Sequence, residues 1–126
     1  KGESIYQSRF ATLNRVITPD ASKIIYELMK ATIKFGTPKK AFRGHRTDKI
    51  LSKLHIGGKT GSIYNKARNS RYDWFVGFAE RKDAPNKLVI SVLVAHDKYI
   101  GKRASSYARL AIKHYFRNDF IKNKKS

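Results

Sequence analysis

Residues 72–96 read YDWFVGFAERKDAPNKLVISVLVAH. Two apolar runs, 72–80 and 87–96, flank a polar RKDAPN. The runs are short and rich in β-branched and aromatic residues, which favours strands over helices. Pro85 and Asn86 suit the loop of a hairpin. A hairpin makes the pair antiparallel. Both runs are apolar on successive residues, so the spacing predicts strands covered on both faces. The expected fold class is α+β: an antiparallel β-sheet flanked by helices, an α/β sandwich.

The chain on either side of the hairpin supplies those helices. Downstream, Ala104, Tyr107, Ala108, Ala111, Ile112, Tyr115 and Phe116 recur at helical spacing, which predicts a helix over about 102–117. Lys102, Arg103, Arg109, Lys113 and Arg117 should face away from its apolar stripe. Upstream, Thr18-Pro19-Asp20 is a helix start: a cap, a proline at the first position and an acid at the positive dipole end. Ile24, Ile25, Leu28, Met29 and Thr32 then share one face. Gly36 and Pro38 stop the helix, which should cover about 19–35. Residues 37–55 are basic and without period, a loop with a short turn. Residues 9–17, RFATLNRVI, read as a strand or a connector.

Between loop and hairpin lies GGKTGS, residues 57–62. A nucleotide phosphate loop requires a glycine where this chain has Lys53, and a helix directly after the threonine. Gly61 and a non-helical run follow Thr60, so that motif is not met. A strand over 56–62 is the alternative. Successive strand residues point to opposite faces, so Lys59 can meet one group and Thr60 another. Glycines let a substrate backbone approach closely. The bland reading, a glycine-rich turn with an exposed lysine, uses the same six residues.

The chain has 126 residues, enough for one domain with a modest core. It has no cysteine, which excludes disulfides and thiolate metal sites. The longest apolar run, residues 88–95, is far below the roughly 18 residues of a membrane span. The start, KGESIYQSRF, has no signal-peptide core, so any targeting segment would precede this chain. Net charge is +19, with 13 basic and 4 acidic side chains in the first 63 residues and 15 and 5 in the rest. That field favours polyanions: nucleic acid, anionic lipid or anionic wall polymers. A solvated basic surface with no dedicated partner accounts for the charge equally well.

Taken together, ITPDASKIIYELMKATIKFGTPKKAFRG, GGKTGS and YDWFVGFAERKDAPNKLVISVLVAH resemble the C-terminal part of a penicillin-binding protein transpeptidase domain. The order of helix, connector, lysine-threonine-glycine strand, aromatic-glycine strand, apolar strand and final helix matches over roughly residues 15–117. The resemblance implies a serine acyl-transfer enzyme of peptidoglycan crosslinking, acting on stem peptides ending in D-alanyl-D-alanine and acylated by β-lactams. It implies no cofactor. By it, Lys59 supplies positive charge and a hydrogen bond to the serine of a Ser-x-Asn motif. Thr60 binds a substrate carboxylate, Gly58 and Gly61 leave room for the substrate backbone, and the Ser62 backbone N–H forms half of an oxyanion hole. It also implies an extracytoplasmic place in the cell envelope, behind an N-terminal anchor not in this chain.

The chain contains neither the Ser-x-x-Lys nor the Ser-x-Asn motif of that family. Thr37-Pro38-Lys39-Lys40 is the nearest imitation and reads as a structural connector. The nucleophilic serine is therefore expected on an N-terminal remainder of the same protein, and this chain alone is expected to be inactive. Trp74, Phe75 and Phe78 read as packing residues. His55 could line the cleft, although a polar strand end is the simpler reading. His45, His55, His96 and His114 lack metal-ligand spacing. Asp73 and Asp97 form no carboxylate pair in sequence. Arg43, Arg46, Lys49 and Lys53 lead into the lysine-threonine-glycine strand and could draw in an anionic substrate. A penicilloyl-sensing or catalytically dead domain and a basic nucleic-acid-binding module are the competing functions. The second lacks any RNA-motif signature.

Overall fold

The structure, a computed structural model, describes residues 7, 14–65, 70–97 and 99–122. Most of RFATLNRVI and the basic end after residue 122 therefore lie outside the described residues. Helix α1 spans Pro19–Phe35, strand β1 Leu54–Tyr64, strand β2 Arg71–Arg81, strand β3 Lys87–His96 and helix α2 Ala104–Lys122. The strands form one antiparallel sheet in the order β1-β2-β3, with helices on both sides. Two short 3₁₀ turns, Thr37–Lys40 and Leu51–Lys53, interrupt the basic connector.

Local chemistry sets the start of α1. Thr18 is extended and its Oγ1 accepts a hydrogen bond from the Ala21 N–H at 3.2 Å, with Pro19 opening the first turn. Of the face expected from the sequence, Met29 and Thr32 turn inward and Ile24, Ile25 and Leu28 do not. Leu28 is 60% exposed, as is Ile24. Tyr26 and Ile33 complete the docking face. Tyr26 stacks on Phe78 with ring centroids 4.8 Å apart, and its hydroxyl donates to Glu80. Thr32 Oγ1 donates to the Gly58 carbonyl of β1. Polar anchors rotate the helix away from its most apolar side.

Helix α2 covers the other face. Its buried seam is Ala104, Ala108, Ile112 and Phe116, spaced by four. The seam meets Phe75 and Ala79 of β2 and Phe42, Leu51 and Ile56 in one core cluster. Phe42 and Phe75 lie 5.8 Å apart and are fully buried. Each such ring contributes about 1.5–3 kcal/mol. Tyr107 and Tyr115, expected in the stripe, are about half exposed. Two cations expected to face away are held inward: Lys113 Nζ donates to Asp48 at 2.6 Å, and Arg103 reaches Asp73. A carboxylate within reach outweighs the helical period.

Burial on β2 alternates, with Asp73, Phe75, Gly77 and Ala79 inside. The other face, beyond the reach of α1, carries Trp74, Val76, Val89 and Leu93 exposed. The sequence expected both faces of these strands to be covered. Among the described residues only the α2 face is covered along its length, and the outer edge of β3 has no strand beside it.

Candidate active site

Lys59, Thr60, Gly61 and Ser62 lie in the second half of β1, an edge strand paired only with β2 among the described residues. The register sets Lys59 opposite Val76, Thr60 opposite Phe75, Gly61 opposite Trp74 and Ser62 opposite Asp73. Alternation along the strand places Thr60 and Ser62 on the α2 face and Lys59 and Gly61 on the α1 face. Lys59 is exposed, and its ammonium donates to the Thr60 carbonyl at 2.6 Å.

Thr60, Gly61 and Ser62 line a cavity of about 500 Å³. Its other walls are Lys40 and Ala41 from the connector, Arg71 and Trp74 from β2, and Arg103 to Ser106 at the start of α2. Gly58 does not line it. It is buried, and a Cβ there would come within 2.3 Å of the Phe75 ring. Gly61 has only ordinary contact beside it, 3.7 Å from Trp74 Cβ. His55 sits half-buried at the far end of β1, in a different cavity.

Asp73 organises the floor of the cleft and is 3% exposed. Ser62 Oγ donates to its Oδ1 at 2.9 Å, Arg71 Nε donates at 3.1 Å, and Arg103 Nη1 reaches both oxygens at 3.0 and 2.9 Å. Arg71 Nη2 also donates to Ser62 Oγ at 3.0 Å, so that hydroxyl both gives and receives. On the far side, His96 Nε2 is 3.1 Å from Asp73 Oδ2, and His96 Nδ1 accepts from the Gly101 N–H at 3.3 Å. With Nδ1 accepting, the proton of the neutral ring sits on Nε2 and is donated to the carboxylate. Burial alone would raise the Asp73 carboxyl, but the hydrogen bonds from Ser62, Arg103 and His96 and the Arg103 charge outweigh it and hold it below the usual carboxylate range.

Sequence reasoning missed this constellation. Asp73, His96 and Arg103 are too far apart in the chain to read as a unit. The available signal was a carboxylate inside an apolar strand, because a buried charge requires partners. The register brings His96 opposite Arg71, next to Asp73.

The cleft thus offers the Thr60 hydroxyl, the Lys40 ammonium and two guanidinium groups along an open strand edge, which suits a carboxylate or another small anion. Among the described residues no cluster of His, Cys, Asp or Glu could hold a metal ion. The model of the family described as penicillin binding protein transpeptidase domain matches residues 5–114. No curated protein and no solved structure matches the chain.

Proposed function

This chain belongs to the penicillin-binding protein transpeptidase domain family, and we propose that it forms the lysine-threonine-glycine half of a serine D,D-transpeptidase or carboxypeptidase of peptidoglycan. The observation that carries this reading is the edge strand itself. Lys59 and Thr60 stand on opposite faces, and an open cavity borders Thr60, Gly61 and Ser62.

In the proposed reaction the nucleophilic serine comes from polypeptide outside residues 1–126, since this sequence has no Ser-x-x-Lys. Its oxygen attacks the penultimate D-alanine carbonyl. The carbonyl carbon–nitrogen bond breaks, and terminal D-alanine leaves with the serine proton. An amine of a neighbouring stem peptide, or water, then takes the acyl group. The Thr60 hydroxyl receives the terminal carboxylate, with Arg71 and Arg103 adding positive charge behind it. The Ser62 N–H stabilises the oxyanion, a contribution typically of about 10²–10³ in rate. Gly58 acts from beneath, because its bare Cα lets Phe75 support the strand. Lys59 addresses the serine of the Ser-x-Asn motif on the α1 side. The exposed Trp74, Val76, Val89 and Leu93 and the free edge of β3 are where the remainder of the domain packs. The enzyme works outside the cytoplasm, anchored by an upstream segment, and its partners are stem peptides and β-lactams.

The test is fluorescent penicillin labelling of the full-length protein, followed on a gel. Wild type should label, and Lys59→Ala and Thr60→Val should each reduce the labelling rate at least tenfold. The 126-residue chain alone should not label. Undiminished labelling in both variants refutes the assigned roles, and an unlabelled wild type removes the enzyme reading.

A further inference from the structure

Six of the nine acidic residues are occupied by cations elsewhere or in local pairs: Glu27 with Lys30, Asp48 with Lys113, Asp73 with Arg71 and Arg103, Glu80 with Lys87, and Asp83 and Asp119 with Arg81. This leaves a stretch of the connector uncompensated. Lys34, Lys39, Lys40, Arg43 and Arg46 are exposed and form no ion pair among the described residues.

These cations are not scattered. A cavity of about 460 Å³ between α1 and the start of β1 is walled by Lys30, Lys34, Arg46 and Lys82, and its one acid, Glu27, is already held by Lys30. A second cavity, of about 610 Å³, shares Ile33, Lys34, His45 and Arg46 with the first and adds Lys39, Lys40 and Arg43, with no acid in its walls. Lys40 also lines the cavity of Thr60 and Ser62. Three concavities therefore adjoin in series through shared cations, Lys34 and Arg46 between the first two and Lys40 between the second and the third.

We propose that this line of cavities is a binding track for a linear phosphodiester polymer without bases, a polyol-phosphate chain. Continuity and the absence of free acids favour a chain of repeated negative charge over a single small anion. The aromatics argue against nucleic acid. Single-stranded nucleic acid needs open ring faces for stacking. Here Phe42 is fully buried, and Phe35, 69% exposed with the Lys34 ammonium over one face of its ring at 4.6 Å, is a single ring and no platform for successive bases. The track is independent of acyl transfer and stands whether or not the chain takes part in it.

The test is fluorescence anisotropy of a labelled synthetic glycerol-phosphate oligomer with the 126-residue chain across a salt series. Binding should weaken linearly in log–log form as salt rises. Arg43→Gln with Arg46→Gln removes two track charges and should lower the slope by about 1.4, taking about 0.7 per phosphate contact as for a flexible single strand. Lys23→Gln with Arg117→Gln removes two exposed charges elsewhere and should leave the slope unchanged. Equal effects from the two pairs, no binding at low salt, or binding of an oligouridylate of equal charge tenfold tighter than the glycerol-phosphate oligomer would each overturn the proposal.

Discussion

Asp73 carries more of the cleft than any residue quoted in the lysine-threonine-glycine stretch. Asp73→Ala leaves Arg71 and Arg103 facing each other across a buried hole, and should destabilise the fold by roughly 3 kcal/mol in urea unfolding. Asp48 offers a cleaner pH test. Burial would raise its carboxyl, but the Lys113 hydrogen bond and the N–H groups of Ile50 and Leu51 lower it from 3.8 to about 2. A lowered folded pKa means stability present in full above about pH 4 and lost as pH falls towards 2. Asp48→Asn should therefore cost roughly 2 kcal/mol at pH 6 and almost nothing near pH 2, measured as the urea midpoint at each pH. The glycines divide in the same local way. A Cβ on Gly77 would lie 2.4 Å from the Gly57 carbonyl, so the backbone of β1 must shift and Gly77→Ala should cost about 3 kcal/mol. Gly61→Ala meets only ordinary contact with Trp74 and should change stability by less than about 0.5 kcal/mol while lowering penicillin labelling of the full-length protein. The placement of Lys59 and Thr60 on opposite faces of a strand was legible in the sequence because side-chain alternation is local. Asp73, His96 and Arg103 were not, because only strand register and the turn into α2 bring them together.

At the level of elements, punctuation was the most readable part. Thr18, Pro19 and Gly36 delimit α1 through caps that involve neighbours within a turn. Thr18→Ala should cost about 1 kcal/mol of thermal stability, seen as a lower Tm. The antiparallel hairpin followed from residues 72–96 for the same reason. Which face of a helix docks was not readable from apolarity. Tyr26 and Thr32 win over Ile24 and Leu28 on α1 because each reaches a specific acceptor on the sheet, Glu80 and the Gly58 carbonyl. On α2 the four-residue spacing of Ala104, Ala108, Ile112 and Phe116 identifies the seam, while Tyr107, Ala111 and Tyr115, each one position before a seam residue, lie on its exposed flank.

Across the whole molecule two surfaces stand out, one cationic and one apolar. The apolar surface, with Val89 73% exposed, should bind a hydrophobic dye strongly in the isolated chain and lose that signal in the full-length protein. A full-length protein as fluorescent as the isolated chain would show that no further polypeptide covers it. The three-strand sheet also has a temporal consequence. Among the described residues only β2 gives and accepts ladder bonds on both sides, whereas β1 and β3 each turn one row of amides outward. In deuterated buffer the mass of peptides from β2 should rise last. Peptides from β1 and β3 should gain about half their label early, so the strand that carries Asp73 keeps time for the slowest opening of the molecule.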